Sequence, residues 1–256
     1  MVELFVSNVT KYMEKENNLT KKNKIFIICE IGHNHMGYMR HAKLLIQEAK
    51  NCGCDAVKFQ FYNTNKIKKP WESRYFELLL SEHTYEEAKQ LKEWCDEIGI
   101  EFFASAFDLE RLGWLEKLGV KRHKVASRSI YEKDMIKAME KTGKQIIASL
   151  GKLDKRGIPK IKNCDYLFCI AEYPTYMTAD MFPSKFGKDE KYQGFSDHTI
   201  GMYWCREAVK RGATIIEKHF TLSRDLPGHD QKGSADPTEM KDFVTYARQH
   251  ERGIQY

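Results

Sequence analysis

The sequence predicts a single-domain α/β fold, a (β/α)8 TIM barrel. Eight short apolar runs alternate with amphipathic or loop segments, the pattern of parallel strands covered on their outer side by helices. A length of 256 residues suits one such domain. No Gly-x-Gly-x-x-Gly or phosphate-loop pattern follows the first run, which argues against an open dinucleotide-binding sheet.

In order, a polar arm covers residues 1–24 and the barrel covers 25–256. The run IFIICEI (25–31) is a buried-strand signal, and MRHAKLLIQEAKNCG (39–53) has helical spacing that closes on a glycine. The phrase then recurs. DAVKFQF precedes a loop and the helix YEEAKQLKEWCDEIG, IEFFASAF precedes DLERLGWLEKLG, and VKRHKVAS precedes IYEKDMIKAMEKTG. KQIIASLG and DYLFCIAEYP are the fifth and sixth strands, with weak crossovers after each, because LDKRGIPKIKN and TADMFPSKFGKDE are short and contain proline. YQGFSDH and ATIIEKHFT complete the set, followed by the helices GMYWCREAVKRG and PTEMKDFVTYARQHE.

Composition narrows the function. The net charge of +6 is spread over scattered lysines rather than gathered with aromatics on one face, which points away from nucleic acid. Seven cysteines without a CxxC pair fit a reducing compartment. No apolar run is long enough for a membrane span and no signal-peptide core opens the chain, so a cytoplasmic protein without membrane contact is expected.

In such barrels chemistry collects at the C-terminal ends of the strands. Those ends carry Glu30, then Lys58 and Gln60, Ser105, Lys124 and Ser127, Ser149, Glu172 and Tyr173, Ser196 and His198, and Glu217 and His219, with Asp230 close behind. Lysines and serines from several strands suit a phosphate and a carboxylate. His198 and His219, each ending one of two adjacent strands, suit a divalent metal such as Mn2+, Mg2+, Fe2+ or Zn2+ with open coordination positions. His33, His35, His123 and His229 read individually as loop or hydrogen-bonded histidines.

The phrases CEIGHNHMG, DAVKFQ, GIEFFASAFD, HKVAS, EYPT, GFSDHTIG and IEKHFTL…PGHDQKGSADP resemble, in order, the barrel domain of the sialic acid synthase family. The resemblance implies metal-dependent condensation of phosphoenolpyruvate with the open-chain aldehyde of an N-acylated sugar, giving a 2-keto-3-deoxy acid. It implies that His198 and His219 hold the metal, Mn2+ or Mg2+ foremost, with Glu30 and Asp230 near it. Lys58, Ser105, Lys124, Ser127, Ser149 and Ser196 would hold phosphoenolpyruvate, while Gln60, Tyr173, Glu217 and Asp230 would face the sugar. Glu30, Glu217 and Asp230 are the candidate catalytic carboxylates.

Departures accompany the match. Arg128 stands where the family commonly has glycine, and Leu150 and Lys152 replace its threonine and methionine. Family members also carry a C-terminal antifreeze-like domain, whereas this chain ends at Tyr256. The resemblance makes a homodimer one partner expectation, and the missing domain makes a separately encoded antifreeze-like domain another. Two other readings remain open: a pyruvate aldolase with Lys58 or Lys124 as Schiff base, and a non-catalytic barrel that binds sugar or serves in an assembly.

Overall fold

The computed structural model describes residues 24–254, so the arm expected over residues 1–24 lies, except for Lys24, outside the described residues. Eight parallel strands close into a barrel in chain order. They are β1 (Phe26–Glu30), β2 (Ala56–Phe61), β3 (Glu101–Ala106), β4 (Arg122–Val125), β5 (Gln145–Ser149), β6 (Cys164–Cys169), β7 (Gly194–Asp197) and β8 (Ile215–His219). Long helices lie outside: α1 (Met39–Asn51), α4 (Tyr85–Ile98), α5 (Leu109–Lys117), α6 (Lys133–Lys141), α7 (Tyr203–Lys210) and α8 (Pro237–Glu251). Two shorter helices, α2 (Thr64–Ile67) and α3 (Tyr75–Leu80), form within the long connection after β2, where the sequence signals only a loop.

Local signals explain the longest helices. Thr84 and Glu87 form a reciprocal capping box at the start of α4, which ends at Gly99 in the left-handed conformation. Asp236 and Glu239 do the same for α8, with Pro237 in its first turn. At the lower end α8 seals the barrel: Arg248 reaches Asp55 at 2.6 Å and the Ile25 carbonyl at 2.7 Å, and Glu251 accepts from the Ile25 N–H.

The fifth and sixth crossovers contain no helix, in line with their prolines. Aromatic loop residues cover that side instead. Phe182 packs edge-on against Phe195 of β7 at 5.2 Å and lies 4.8 Å from Trp204 of α7. The sixth strand stops earlier than its apolar run suggests, at Cys169, so Glu172 and Tyr173 belong to the loop beyond it; Glu172 is exposed and away from the barrel mouth. At Gly194 the next strand comes close: a Cβ there would lie 2.1 Å from the Ile215 carbonyl oxygen, so glycine permits the β7–β8 spacing.

Candidate active site

Side chains alternate across a strand, and the barrel register turns that alternation into a ring of polar groups. Glu30 pairs in register with Lys58 on one side and His219 on the other, Gln60 with Ser105, Ser105 with Lys124, and Ser196 with Glu217. All of them line one cavity of about 280 Å3 at the C-terminal mouth. So do Ser127, Ser149, Tyr173, His198 and Asp230, which places thirteen of the fourteen strand-end candidates around one space, Glu172 being the exception.

The floor is a buried charge network. Lys58 Nζ lies 2.6 Å from Glu30 Oε2 and 3.8 Å from Glu217 Oε2, and it donates to Ser105 Oγ at 3.3 Å. Lys124 Nζ donates to Ser149 Oγ at 2.7 Å and lies 3.7 Å from Glu217 Oε1. Glu217, which also accepts from Ser196 Oγ at 2.9 Å, therefore sits between two ammonium groups. Burial alone would raise its pKa, but Lys124 and Lys58 outweigh that and hold it down at about 2. Glu30 moves the other way: burial and the neighbouring Glu217 charge raise it, against the pull of Lys58. Lys124 is lowered, chiefly by burial and then by Lys58, whereas in Lys58 the two carboxylates overcome burial and raise it. Gln60 fixes the second oxygen of Glu30, donating at 2.7 Å.

The two imidazoles stand beside this network, at the end of β8 and just beyond β7, ring centroids 5.6 Å apart. His198 directs Nδ1 at the Ile170 carbonyl, 2.9 Å away, which fixes a proton there and leaves Nε2 as a lone pair in the neutral ring. His219 is kept neutral because burial, helped by His198 and Lys58, lowers its pKa to about 3, and its buried Nδ1 has no hydrogen-bond partner. A ring bound through nitrogen at about 2.1 Å places two centroids on one ion within roughly 6.5 Å of each other. The observed pair meets that condition. Among the described residues no three His, Cys, Asp or Glu side chains form a ready-made metal cage. The donor set fits a cation held by two imidazoles with the rest of its shell open, and the Asp230 charge acts on His219 while its oxygens lie 3.3 Å from His33 Nδ1 and 3.5 Å from Arg74.

Several lining residues escape the strand-end reading. His33 follows β1 immediately and touches Asp230, so its place in GHNH was a usable signal. Arg74, held at φ 68° at the start of α3, bridges Glu77 and Asp230 and has no counterpart in any motif. Cys169 ends β6 with its sulfur 3.7 Å from His198 Nδ1. Arg128 and Lys152 also line the mouth. His35 and His123 are buried and do not line the cavity.

Behind the site, Asp197 and Lys218 point outward from β7 and β8. They form an ion pair of 2.9 Å, with side chains 0% and 1% exposed, between the strands that carry the two imidazoles.

Known proteins resemble this chain over most of its length. An N,N'-diacetyllegionaminic acid synthase of Legionella pneumophila is 35% identical over 257 residues, spanning 88% of this chain and 72% of that protein. A pseudaminic acid synthase of Campylobacter jejuni is 31% identical over 263 residues, spanning 93% and 77%. The crystal structure of an N-acetylneuraminic acid synthetase from Leptospira borgpetersenii, in complex with citrate, superposes with a TM-score of 0.82 at 29% identity, covering 91% of this chain and 86% of that one. Residues 45–255 match the NeuB family, and with relatives this similar along nearly its whole length the chain belongs to that family.

Proposed function

We propose that this protein is a sialic-acid-type synthase that condenses phosphoenolpyruvate with the open-chain aldehyde of a sugar, releasing phosphate. The observation that carries the reading is the meeting, in one cavity, of a buried lysine and serine floor with a paired imidazole wall. The family membership and the activities named for the relatives support it.

Lys58 and Lys124 supply fixed positive charge, and Ser105, Ser149, Ser127 and Ser196 supply hydroxyl donors, for the phosphate and carboxylate of phosphoenolpyruvate. His198 and His219 would hold a divalent cation, Mn2+ or Mg2+, which when bound supplies Lewis acidity at the acceptor carbonyl. The C3 methylene of phosphoenolpyruvate attacks the aldehyde carbon, the carbon–carbon bond forms as the carbonyl π bond opens, and the oxygen takes up a proton from solvent, which the water later added at C2 returns. Positive charge appears at C2, where the buried Glu30 and Glu217 face it and stabilise it. Water adds at C2 with its proton passing to a floor carboxylate, and carbon–oxygen cleavage frees phosphate and leaves the keto group. Gln60 orients Glu30 for this step, and Tyr173, its ring tilted 40° to that of His198 with centroids 4.1 Å apart, walls the acceptor side.

One observation favours the Schiff-base alternative, the lowered pKa of Lys124, while Lys58 is held charged by Glu30. A single experiment separates the two. Phosphate release from phosphoenolpyruvate with Mn2+ is measured across a panel of N-acylated hexosamines, with His198→Ala and Glu217→Gln as variants. Aldehyde-dependent release lost in both variants is the expected result. Trapping of Lys124 by pyruvate and borohydride, with no phosphate release, would replace the synthase with the aldolase.

A further inference from the structure

Two cations at the cavity mouth have no carboxylate partner among the described residues. The other cations lining the cavity do: Lys58 with Glu30 and Glu217, Lys124 with Glu217, Arg74 with Glu77 and Asp230, and Lys68 with Glu72. Arg128 and Lys152 are exposed and unpaired. They are also neighbours. Arg128 follows Ser127 and Lys152 follows Gly151, and the Gly151 N–H donates to Ser127 Oγ at 3.0 Å, so the two side chains leave adjoining backbones above β4 and β5. The Arg128 guanidinium lies 5.4 Å from the centre of the Phe107 ring. Packing against a ring uses the face of a guanidinium and leaves its N–H edge available for a planar or tetrahedral anion.

The two positive charges fall on one patch of rim. The floor already holds a complete anion site of its own. A strand rises about 3.3 Å per residue, so Lys152 starts at most roughly 10 Å up the wall from Ser149. That separation leaves room for the reacting atoms between two anionic groups.

We propose that Arg128 and Lys152 form a second anion site at the rim, which receives an acid group, phosphate or carboxylate, carried by the acceptor sugar. The inference rests on the synthase reading and names the acceptor class for it: an acidic sugar aldehyde rather than a neutral one. The source of selectivity is one or two charge-assisted hydrogen bonds made only with the acidic acceptor, a contribution of about tenfold to a hundredfold.

The test compares N-acetylmannosamine, its 6-phosphate and its uronic acid as acceptors for the full chain, with kcat/KM for each acceptor and KM for phosphoenolpyruvate measured separately. The same measurements are made on the Arg128→Gln/Lys152→Gln double variant. Preference for one of the acidic acceptors, reduced about tenfold to a hundredfold in the double variant with little change in the phosphoenolpyruvate KM, is the expected outcome, and the preferred acid distinguishes phosphate from carboxylate. Equal use of neutral and acidic acceptors would overturn the proposal. So would a double variant whose only defect is a raised KM for phosphoenolpyruvate, since the rim cations would then serve that substrate. If no acceptor turns over, the synthase reading fails, and the rim is judged by calorimetry with the reduced 6-phosphate, the reduced acid and the neutral alditol: binding of an acidic compound that the double variant loses supports the site, and indistinguishable binding of all three refutes it.

Discussion

Lys218→Met tests whether the buried pair behind the active site braces the two imidazole strands. In the wild type Lys218 Nζ contacts Asp197 Oδ2 at 2.9 Å and donates to the Thr199 carbonyl. Asp197 also accepts from the Thr199 N–H at 2.8 Å and from the Cys205 thiol at 3.1 Å. Removing the ammonium leaves a fully buried carboxylate with these two weaker donors, a loss of about 3–5 kcal/mol for a broken buried pair. For a domain of this size that corresponds to a fall in Tm of roughly 6–20 °C. Asp197→Asn should cost a similar amount, because the ammonium then has only the Thr199 carbonyl and a neutral amide. The double variant behaves differently: Asn retains an acceptor for the Thr199 N–H, no charge remains buried, and the expected loss is about 1–3 kcal/mol. Urea unfolding followed by tryptophan fluorescence gives the three values and their coupling. A double variant as damaged as the sum of the single ones, or single losses below about 1 kcal/mol, would refute the reasoning.

Other perturbations probe neighbouring parts of the argument. His219→Ala is expected to weaken Mn2+ binding at least about 100-fold, beyond the 10–100-fold loss typical of an outer-shell residue, and calorimetry on the purified protein reads this without turnover. Gly194→Ala should cost at least about 1–3 kcal/mol and lower the Tm, since the new methyl meets the Ile215 carbonyl at 2.1 Å; an unchanged Tm would show that β7 and β8 separate freely. Asp55, at the lower end of the barrel, has a pKa that burial would raise but that Lys24, the Ile27 N–H and Arg248 together lower. Because the folded value is the lower one, its contribution is full above the unfolded value of about 3.9 and disappears as pH falls through the folded value. Asp55→Asn should therefore destabilise the protein at neutral pH and flatten the acid limb of its stability curve below about pH 4.

The parts of the site that could be read from sequence are those set by strands. A polar residue at the end of a continuous apolar run is placed at the barrel mouth once eight runs are recognised as a barrel, so Glu30, Lys58, Lys124 and Glu217 emerge as strand-end residues. Arg74 could not be placed this way. Its position depends on a left-handed residue at the head of a six-residue helix inside a long connection, held by a local contact with Glu77 and a tertiary one with Asp230. Tyr173 was placed correctly at the mouth but on the wrong element, because the apolar run DYLFCIAEYP continues past the point where β6 stops at Cys169.

Alternation also links the brace to the chemistry. In Ser-Asp-His the first and third residues face the cavity and Asp197 faces the helices; in Glu-Lys-His the first and third do so again and Lys218 faces out. The register pairs Ser196 with Glu217 and Asp197 with Lys218. A slip of one residue would move every one of these groups to the other face. The outward ion pair would then be lost together with the inward imidazole pair, so the charge that braces the wall and the imidazoles that line the cavity report on the same register. For that reason the Asp197→Asn/Lys218→Met variant should keep most of its stability yet loosen the geometry of His198 and His219. A double variant that also retained full Mn2+ affinity would show that Gly194 and the backbone ladder hold the register alone.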